Sequence, residues 1–384
     1  MMKKKCLLFS FLLIFSLSAI AQQTDIAGID RDTITNYSTY KRSIGFAGLL
    51  QTRFLASLSD KVDINGKHFN DASTSKNTNA FLLKRVRLQV KGNVNDHFAA
   101  NIMFNFAEFS SNPANKVLEN AYVKYTLSKH FQVQAGQFRP FFGIEDALPV
   151  DVIRTFDYSN QYYAFGASGW QSFQIGLSLF GDVTSTGQMP IRYYLGVYNG
   201  NNRNESSDND DAKNFYGRIE AEVAKKLIVG VNAAVGSMGN GQGDAWGADV
   251  VTTHKLGNRW QFSLSGEYKN GSNLSLFNTF TTNAPSLSKV RMHGFYVFPI
   301  LRYNCNLPRL RGIEFSSRYE YLDLNYKLDK NVRRNIVPNI SLVFADDFYA
   351  AIQTGVSLNL YDRNVPLSTT YDSHLYYLQL QVRF

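Results

Sequence analysis

The sequence predicts an all-β chain: a transmembrane antiparallel β-barrel of about sixteen strands with one loop folded inward. Three observations predict it. Short stretches of alternating apolar and polar residues recur along most of the chain, and the connections between them alternate between short turns and long loops. Aromatic residues are abundant, with 22 Tyr and 29 Phe, yet mean hydropathy is only −0.23. A strand between lipid and water needs an apolar side chain at only every second position, so such a wall is aromatic-rich without being hydrophobic overall.

The chain opens with Met1-Met-Lys-Lys-Lys5, an apolar run from Cys6 to Ile20, and a small-x-small site, Ala19-Ile20-Ala21, before Gln22. That is the pattern of a secretory signal peptide over residues 1–21. Cleavage would remove Lys3, Lys4 and Lys5 and lower the net charge from +9 to +6. It would leave Cys305 as the single cysteine, so no intrachain disulfide is expected. Residues 22–43 are polar and aperiodic and read as a flexible N-terminal segment.

The barrel is expected over 44–384. Alternation marks strands at 44–58, 80–93, 97–109, 117–128, 131–139, 169–181, 190–199, 213–226, 227–237, 245–256, 258–270, 291–304, 311–323, 333–345, 348–361 and 374–384. Most reach the roughly 9–11 residues that a tilted strand needs to cross a bilayer. Closure is required because lipid leaves no unpaired backbone edge satisfied. Short connections fall at Asn95-Asp96, Ser128-Lys129-His130, Lys225-Lys226, Leu256-Gly-Asn258 and Ala345-Asp-Asp347. Long ones fall at 59–79, 140–168, 200–212, 271–290, 324–332 and 362–373.

Parity assigns the faces. In the second strand Leu82, Val86, Leu88 and Val90 share one face, with Lys84 as the exception; Arg85, Arg87, Gln89 and Lys91 share the other. Arg or Lys facing mid-bilayer lipid costs about 2–4 kcal/mol, so these cations are expected to line water. Arg53, Arg192, Arg218, Arg302 and Arg318 are further lumen candidates by parity. In the last strand Tyr376, Leu378, Leu380, Val382 and Phe384 share one face. Gln379, Gln381 and Arg383 share the other. Aromatics near strand ends, among them Tyr162, Tyr163, Tyr193, Tyr194, Tyr198, Tyr349 and Tyr361, are candidate ligand-stacking platforms, with most of them expected to form an interfacial girdle. Trp170, Phe138, Phe141 and Phe142 are expected to pack the long loop against the wall.

Four segments together resemble the phosphate-selective porin O/P family. They are Phe81-Leu-Leu-Lys-Arg-Val-Arg-Leu-Gln-Val-Lys-Gly92, Glu119-Asn-Ala-Tyr-Val-Lys-Tyr125, Gly136-Gln-Phe-Arg-Pro-Phe-Phe-Gly-Ile-Glu145 and the glycine-rich return from Gly166 to Gly181. The resemblance implies a sixteen-stranded outer-membrane porin, often trimeric, with loop 140–168 narrowing the channel. It also implies attractive wall charges at Arg85, Arg87, Lys91 and Arg139. The loop departs from an anion filter: Arg154 is its one cation against Glu145, Asp146, Asp151 and Asp157, a net −3. The ladder argues for anions and the loop against. The Asn-, Lys- and Tyr-rich composition suggests a Bacteroidota-like source.

The expected function is passive diffusion of small polar solutes with a preference for anions such as phosphate. The alternative is a plugged, non-conducting barrel acting in binding or adhesion. Partners are outer-membrane lipid and lipopolysaccharide, small anionic or polar solutes, and two further copies in a homotrimer. No nucleic-acid partner is expected, because the cations are spread along strands rather than clustered. No catalytic, cofactor or metal site is expected: the six histidines have no ligand spacing, and Gly-x-Ser-x-Gly, phosphate-loop and dinucleotide motifs are absent. The acidic stretch Glu205 to Asp211 lacks the spacing of a calcium loop.

Overall fold

The computed structural model describes residues 42–110, 116–147, 153–184, 189–200, 211–239, 241–345 and 349–384. Residues 1–41, Asp151 and most of the acidic stretch from Glu205 lie outside the described residues. Sixteen strands follow one another: β1 (Ser43–Ser57), β2 (Asn79–Asn93), β3 (Phe98–Asn105), β4 (Leu118–Ser128), β5 (Phe131–Phe138), β6 (Gln174–Asp182), β7 (Ile191–Tyr198) and β8 (Asn214–Ala224). The second half comprises β9 (Leu227–Met238), β10 (Gly241–Leu256), β11 (Trp260–Ser272), β12 (Arg291–Leu307), β13 (Leu310–Asp323), β14 (Arg333–Val343), β15 (Ala350–Tyr361) and β16 (Ser373–Arg383).

Each strand pairs antiparallel with its sequence neighbours, and β16 pairs with β1, so the barrel closes. The seam runs from Leu49 opposite Arg383 to Ser57 opposite Leu375. Beyond it, Gly48 and Phe384 exchange backbone bonds of 2.6 and 3.0 Å. No ladder edge is left for lipid to desolvate. Up-and-down order places even-to-odd connections at one end and odd-to-even connections at the other. The long segments after β1, β5, β7, β11 and β15 therefore share one end; the tight β9–β10 hairpin is a short member there.

Alternation sorts the side chains as a lipid-facing wall requires. Phe81, Ile102, Leu195, Phe215, Val231, Leu378 and Leu380 are exposed on the outside, while Gln51, Arg53, Glu314, Arg318, Gln379 and Gln381 are buried inside. One assignment is corrected in β2. Gln51 pairs with Arg85 and Thr52 with Leu83, which leaves Lys84 as an extra residue, a β-bulge. The bulge resets the parity. Phe81 and Leu83 face outward on its N-terminal side, and Leu82 turns inward to pack near Leu55, Ile64, Val337 and Tyr377. Lys84 is thus no exception to an alternation; it is where the alternation restarts.

Three strand limits differ from expectation by four residues or more, one of them the start of β10, at Gly241 rather than 245. β3 ends at Asn105, and Phe106–Ser110 turns into a 3-10 helix. β6 starts at Gln174 rather than near 169, because Trp170, Gln171 and Phe173 are buried in loop packing.

Candidate functional site

The described residues between β5 and β6 lie inside the barrel and carry two helices, α1 (Ile144–Ala147) and α2 (Asn160–Ala167). Local chemistry fixes α2. Ser159 caps it, its hydroxyl accepting from the Tyr162 amide at 3.2 Å. Its end is closed by Trp170 N donating to the Phe165 carbonyl at 3.0 Å, with Gly169 at φ +78°. That left-handed conformation suits glycine and stops the helix. A second constraint ties α1 to α2: the Glu145 carboxylate accepts from Ser159 N at 2.7 Å and from the Ser159 hydroxyl.

One side of the loop is held by an apolar cluster inside the barrel. Phe142, Phe165 and Trp170 pack with Phe138 against Tyr198, Tyr216, Ala234, Ala245, Leu274 and Met292 from the wall and its loops. The Trp170 indole also donates to the Ser272 carbonyl at 2.8 Å. Burying one such side chain contributes about 1.5–3 kcal/mol. Gly143, at φ +102°, lets the backbone approach the wall closely enough for Ile144 N to donate to Glu267 at 3.0 Å. The wall here is the inner face of β11, where Glu267 also pairs with Lys269 at 3.0 Å.

The other side of the loop is held by charge. Asp157 reaches the inner face of β1 and β2, where it meets Arg85 at 2.6 Å, Lys84 at 2.7 Å and Arg53 at 3.7 Å. Burial disfavours its charge, but Arg85, Lys84 and Arg53 outweigh burial and hold the carboxyl well below the usual carboxylate range. From β13, Arg318 donates to the backbone carbonyls of Asp157 and Tyr158 at 2.6 and 3.1 Å. From β14, Asn339 donates to the Arg154 carbonyl at 3.3 Å. The loop therefore spans the lumen, with one foot in an apolar cluster and the other on cations.

The expected site residues separate into distinct environments. Arg85 is committed to Asp157 and to Gln51, at 2.8 Å. Arg87 pairs with Glu119 at 2.6 Å. Lys91 sits on the same inward face of β2, opposite Gly45. Arg139 lies past the end of β5, under the loop rather than on the wall. It donates to the Tyr158 hydroxyl at 2.6 Å and lies over the Tyr158 and Phe173 rings at 5.0 and 4.7 Å. Arg154 pairs with Glu314 at 3.5 Å, and Glu314 also takes Arg302 at 3.2 Å.

Glu145 and Asp146 are buried within the loop, Asp146 accepting from Gln171 at 2.8 Å. Burial pushes the Asp146 carboxyl up to about 7, against the pull of Lys269 and Arg139. The further parity candidates point inward and carry acids: Arg192 pairs with Asp182, Arg218 with Asp249 and Glu220, and Arg318 with Glu320. The ladder is interleaved with carboxylates that its spacing did not disclose.

Three features escaped the sequence reading. Lys84 is a site cation because of the bulge. Asp157 is the anchor of the loop rather than one acid among four. Tyr162 and Tyr163 are not girdle residues: they lie on α2, stacked or edge-on with Tyr158. Tyr194 and Tyr198 are likewise buried inside. The one available signal was Lys84 itself, a charge that broke an otherwise regular alternation.

The family model of phosphate-selective porin O and P matches residues 60–293. No curated protein matches the chain. Among solved structures, the barrel is similar to the anion-selective porin from Comamonas acidovorans, with 9% identity and a TM-score of 0.59 over 90% of this chain and 100% of that one. It is also similar to the outer membrane channel DcaP of Acinetobacter baumannii, with 14% identity and a TM-score of 0.54 over 89% and 97%. The trimer form of OmpT, an outer membrane protein of Vibrio cholerae, shares 11% identity with a TM-score of 0.52 over 89% and 99%. Likenesses this remote establish the fold alone. The family match covers more than half of the sequence and indicates a channel rather than an enzyme: the chain belongs to the phosphate-selective porin O and P family and is an outer-membrane porin.

Proposed function

We propose that this porin passes small polar solutes by diffusion and favours small anions, phosphate among them. The carrying observation is the charge balance where the loop meets β1 and β2. Three cations, Arg53, Lys84 and Arg85, share one carboxylate, Asp157. Glu314 is likewise shared by Arg154 and Arg302. The loop acids Glu145 and Asp146 are buried, and Asp157 is paired with cations, so these three acids of the loop do not meet a solute as free charges. Lys84 keeps 31% of its side chain accessible, so its charge reaches lumen water. The anion-selective relative from Comamonas acidovorans is in keeping with this reading. A homotrimer is proposed by analogy with the trimer form of the Vibrio protein. Residues 1–21 are proposed as the cleaved leader, 22–43 as a flexible segment and 140–168 as the constriction.

The test is reversal potential in planar bilayers, in chloride and then in phosphate. Wild type should favour anions, and Lys84→Glu should move the reversal potential toward cation preference. An unmoved potential would place Lys84 off the conducting path. A second reading, a plugged barrel that binds a partner through its long loops, is favoured by close interior packing. Gln51, Lys269, Glu314, Gln353 and Gln381 all face inward and are almost wholly covered. Steady conductance steps support diffusion; their absence supports the plug.

A further inference from the structure

We propose that the constriction recognises ring-bearing monoanions, through Tyr163 as a stacking platform and Lys84 as the charge beside it. This rests on the porin reading above and names its preferred solute class. Three tyrosines lie together on the loop, and their environments differ. Tyr158 and Tyr162 stack on each other, ring centroids 4.2 Å apart, and both are buried. Tyr163 stands nearly perpendicular to both, at interplanar angles of 75° and 85°, and 47% of it remains exposed. No ring stacks upon it among the described residues. Its exposed surface belongs to a loop held inside the barrel, so it borders lumen water rather than lipid.

Its position is fixed from the charged side. The Tyr163 hydroxyl donates to Asp157 Oδ1 at 2.8 Å, and Lys84 Nζ lies 2.7 Å from Oδ2 of the same carboxylate. One carboxylate thus holds an accessible aromatic ring and an accessible ammonium as neighbours. Arg53 and Arg85, on the same carboxylate, keep only 2% and 7% of their side chains accessible. They set the field but cannot be touched. A solute passing here meets the exposed part of an aromatic ring and, among the three cations on Asp157, one that is partly accessible. Inorganic phosphate or acetate can use only the charge. A carboxylate carried on a six-membered ring can use both, laying its ring on Tyr163 while its charge approaches Lys84.

The experiment measures block of chloride current through single channels of the full chain by acetate, benzoate and glucuronate, all monoanions at neutral pH. The expected half-blocking concentration of benzoate and glucuronate is about two- to tenfold lower than that of acetate, the range a single aromatic stack supplies. Tyr163→Ala should erase that difference. Tyr163→Phe, which keeps the ring and loses the bond to Asp157, should preserve it. Lys84→Gln should weaken block by the two ring anions. Equal block by all three anions in wild type overturns the proposal, as does a difference that survives Tyr163→Ala. Loss of the difference in Tyr163→Phe would assign it to the hydroxyl bond and also overturn it. In each of these outcomes the channel still conducts chloride, so the diffusion reading stands. A barrel that carries no current overturns both.

Discussion

At the scale of single residues, the decisive side chain is Asp157. Three cations converge on it, and more than nine-tenths of it is buried. Removing one partner of a buried ion pair strands the remaining charge and costs about 3–5 kcal/mol. Asp157→Asn leaves Arg53, Lys84 and Arg85 unneutralised, so the charged foot of the loop should detach. Single-channel recording should then show larger and noisier conductance with stronger anion preference; an unchanged conductance would mean that the apolar foot alone positions the loop. Arg85→Glu should act in the same direction on conductance, because it sets two carboxylates against each other. The carboxyl of Asp157 is held far down, so this anchor is complete above about pH 4 and is lost only as pH falls further. Asp146 behaves oppositely. Its carboxyl is raised to about 7 in the docked loop, so docking is fully supported below the ordinary carboxylate pKa of about 4 and weakens as pH rises through 7. Current fluctuations should grow as pH rises from about 4 to 7 and level off above that, and Asp146→Asn should flatten that dependence. A pH-independent trace in wild type would remove Asp146 from the docking account.

At the scale of elements, β2 shows what a strand pattern can and cannot disclose. The sixteen strands were legible because one face meets lipid and the other meets polar side chains, so alternation is enforced over nearly every stretch. The bulge at Lys84 was not, because a parity break becomes a bulge only when the partner strand is known: Gln51 and Thr52 of β1 define it. Pairing of wall arginines with Glu119, Asp249, Glu314 and Glu320 was hidden for the same reason, since partners come from other strands or other positions along one. Tyr163 was a stacking candidate among several, and the sequence could not single it out, because tyrosine has the same identity in a girdle and on an inward loop. The bulge makes a sharp prediction. Deleting Lys84 would restore a regular strand with Leu82 still inward and Leu83 still outward, so the barrel should assemble with one fewer cation at Asp157. Heat-modifiable migration in gels should be retained while anion preference falls. Loss of the folded band would mean that the bulge shapes the wall and does not merely supply a charge.

At the scale of the molecule, the described part of the β5–β6 loop bridges two sides of the barrel wall. Its apolar foot rests on Trp170, Phe142 and Phe165, and its charged foot on β1 and β2. Trp170→Ala opens a cavity worth about 3–5 kcal/mol and should loosen the loop without opening the strand ladder. Conductance should rise while the thermal midpoint of the barrel band stays near wild type; a collapsed midpoint would make the cluster part of the wall's own stability. The seam has a consequence in time. The two strands that close the ring stand at opposite ends of the barrel sequence, and β16 is the last of the sixteen to be made. Until it arrives, β1 and β15 each lack the strand that pairs with that edge in the closed barrel. Such edges invite pairing with other chains. The ring therefore closes only once its last strand is made, however early the neighbouring hairpins pair.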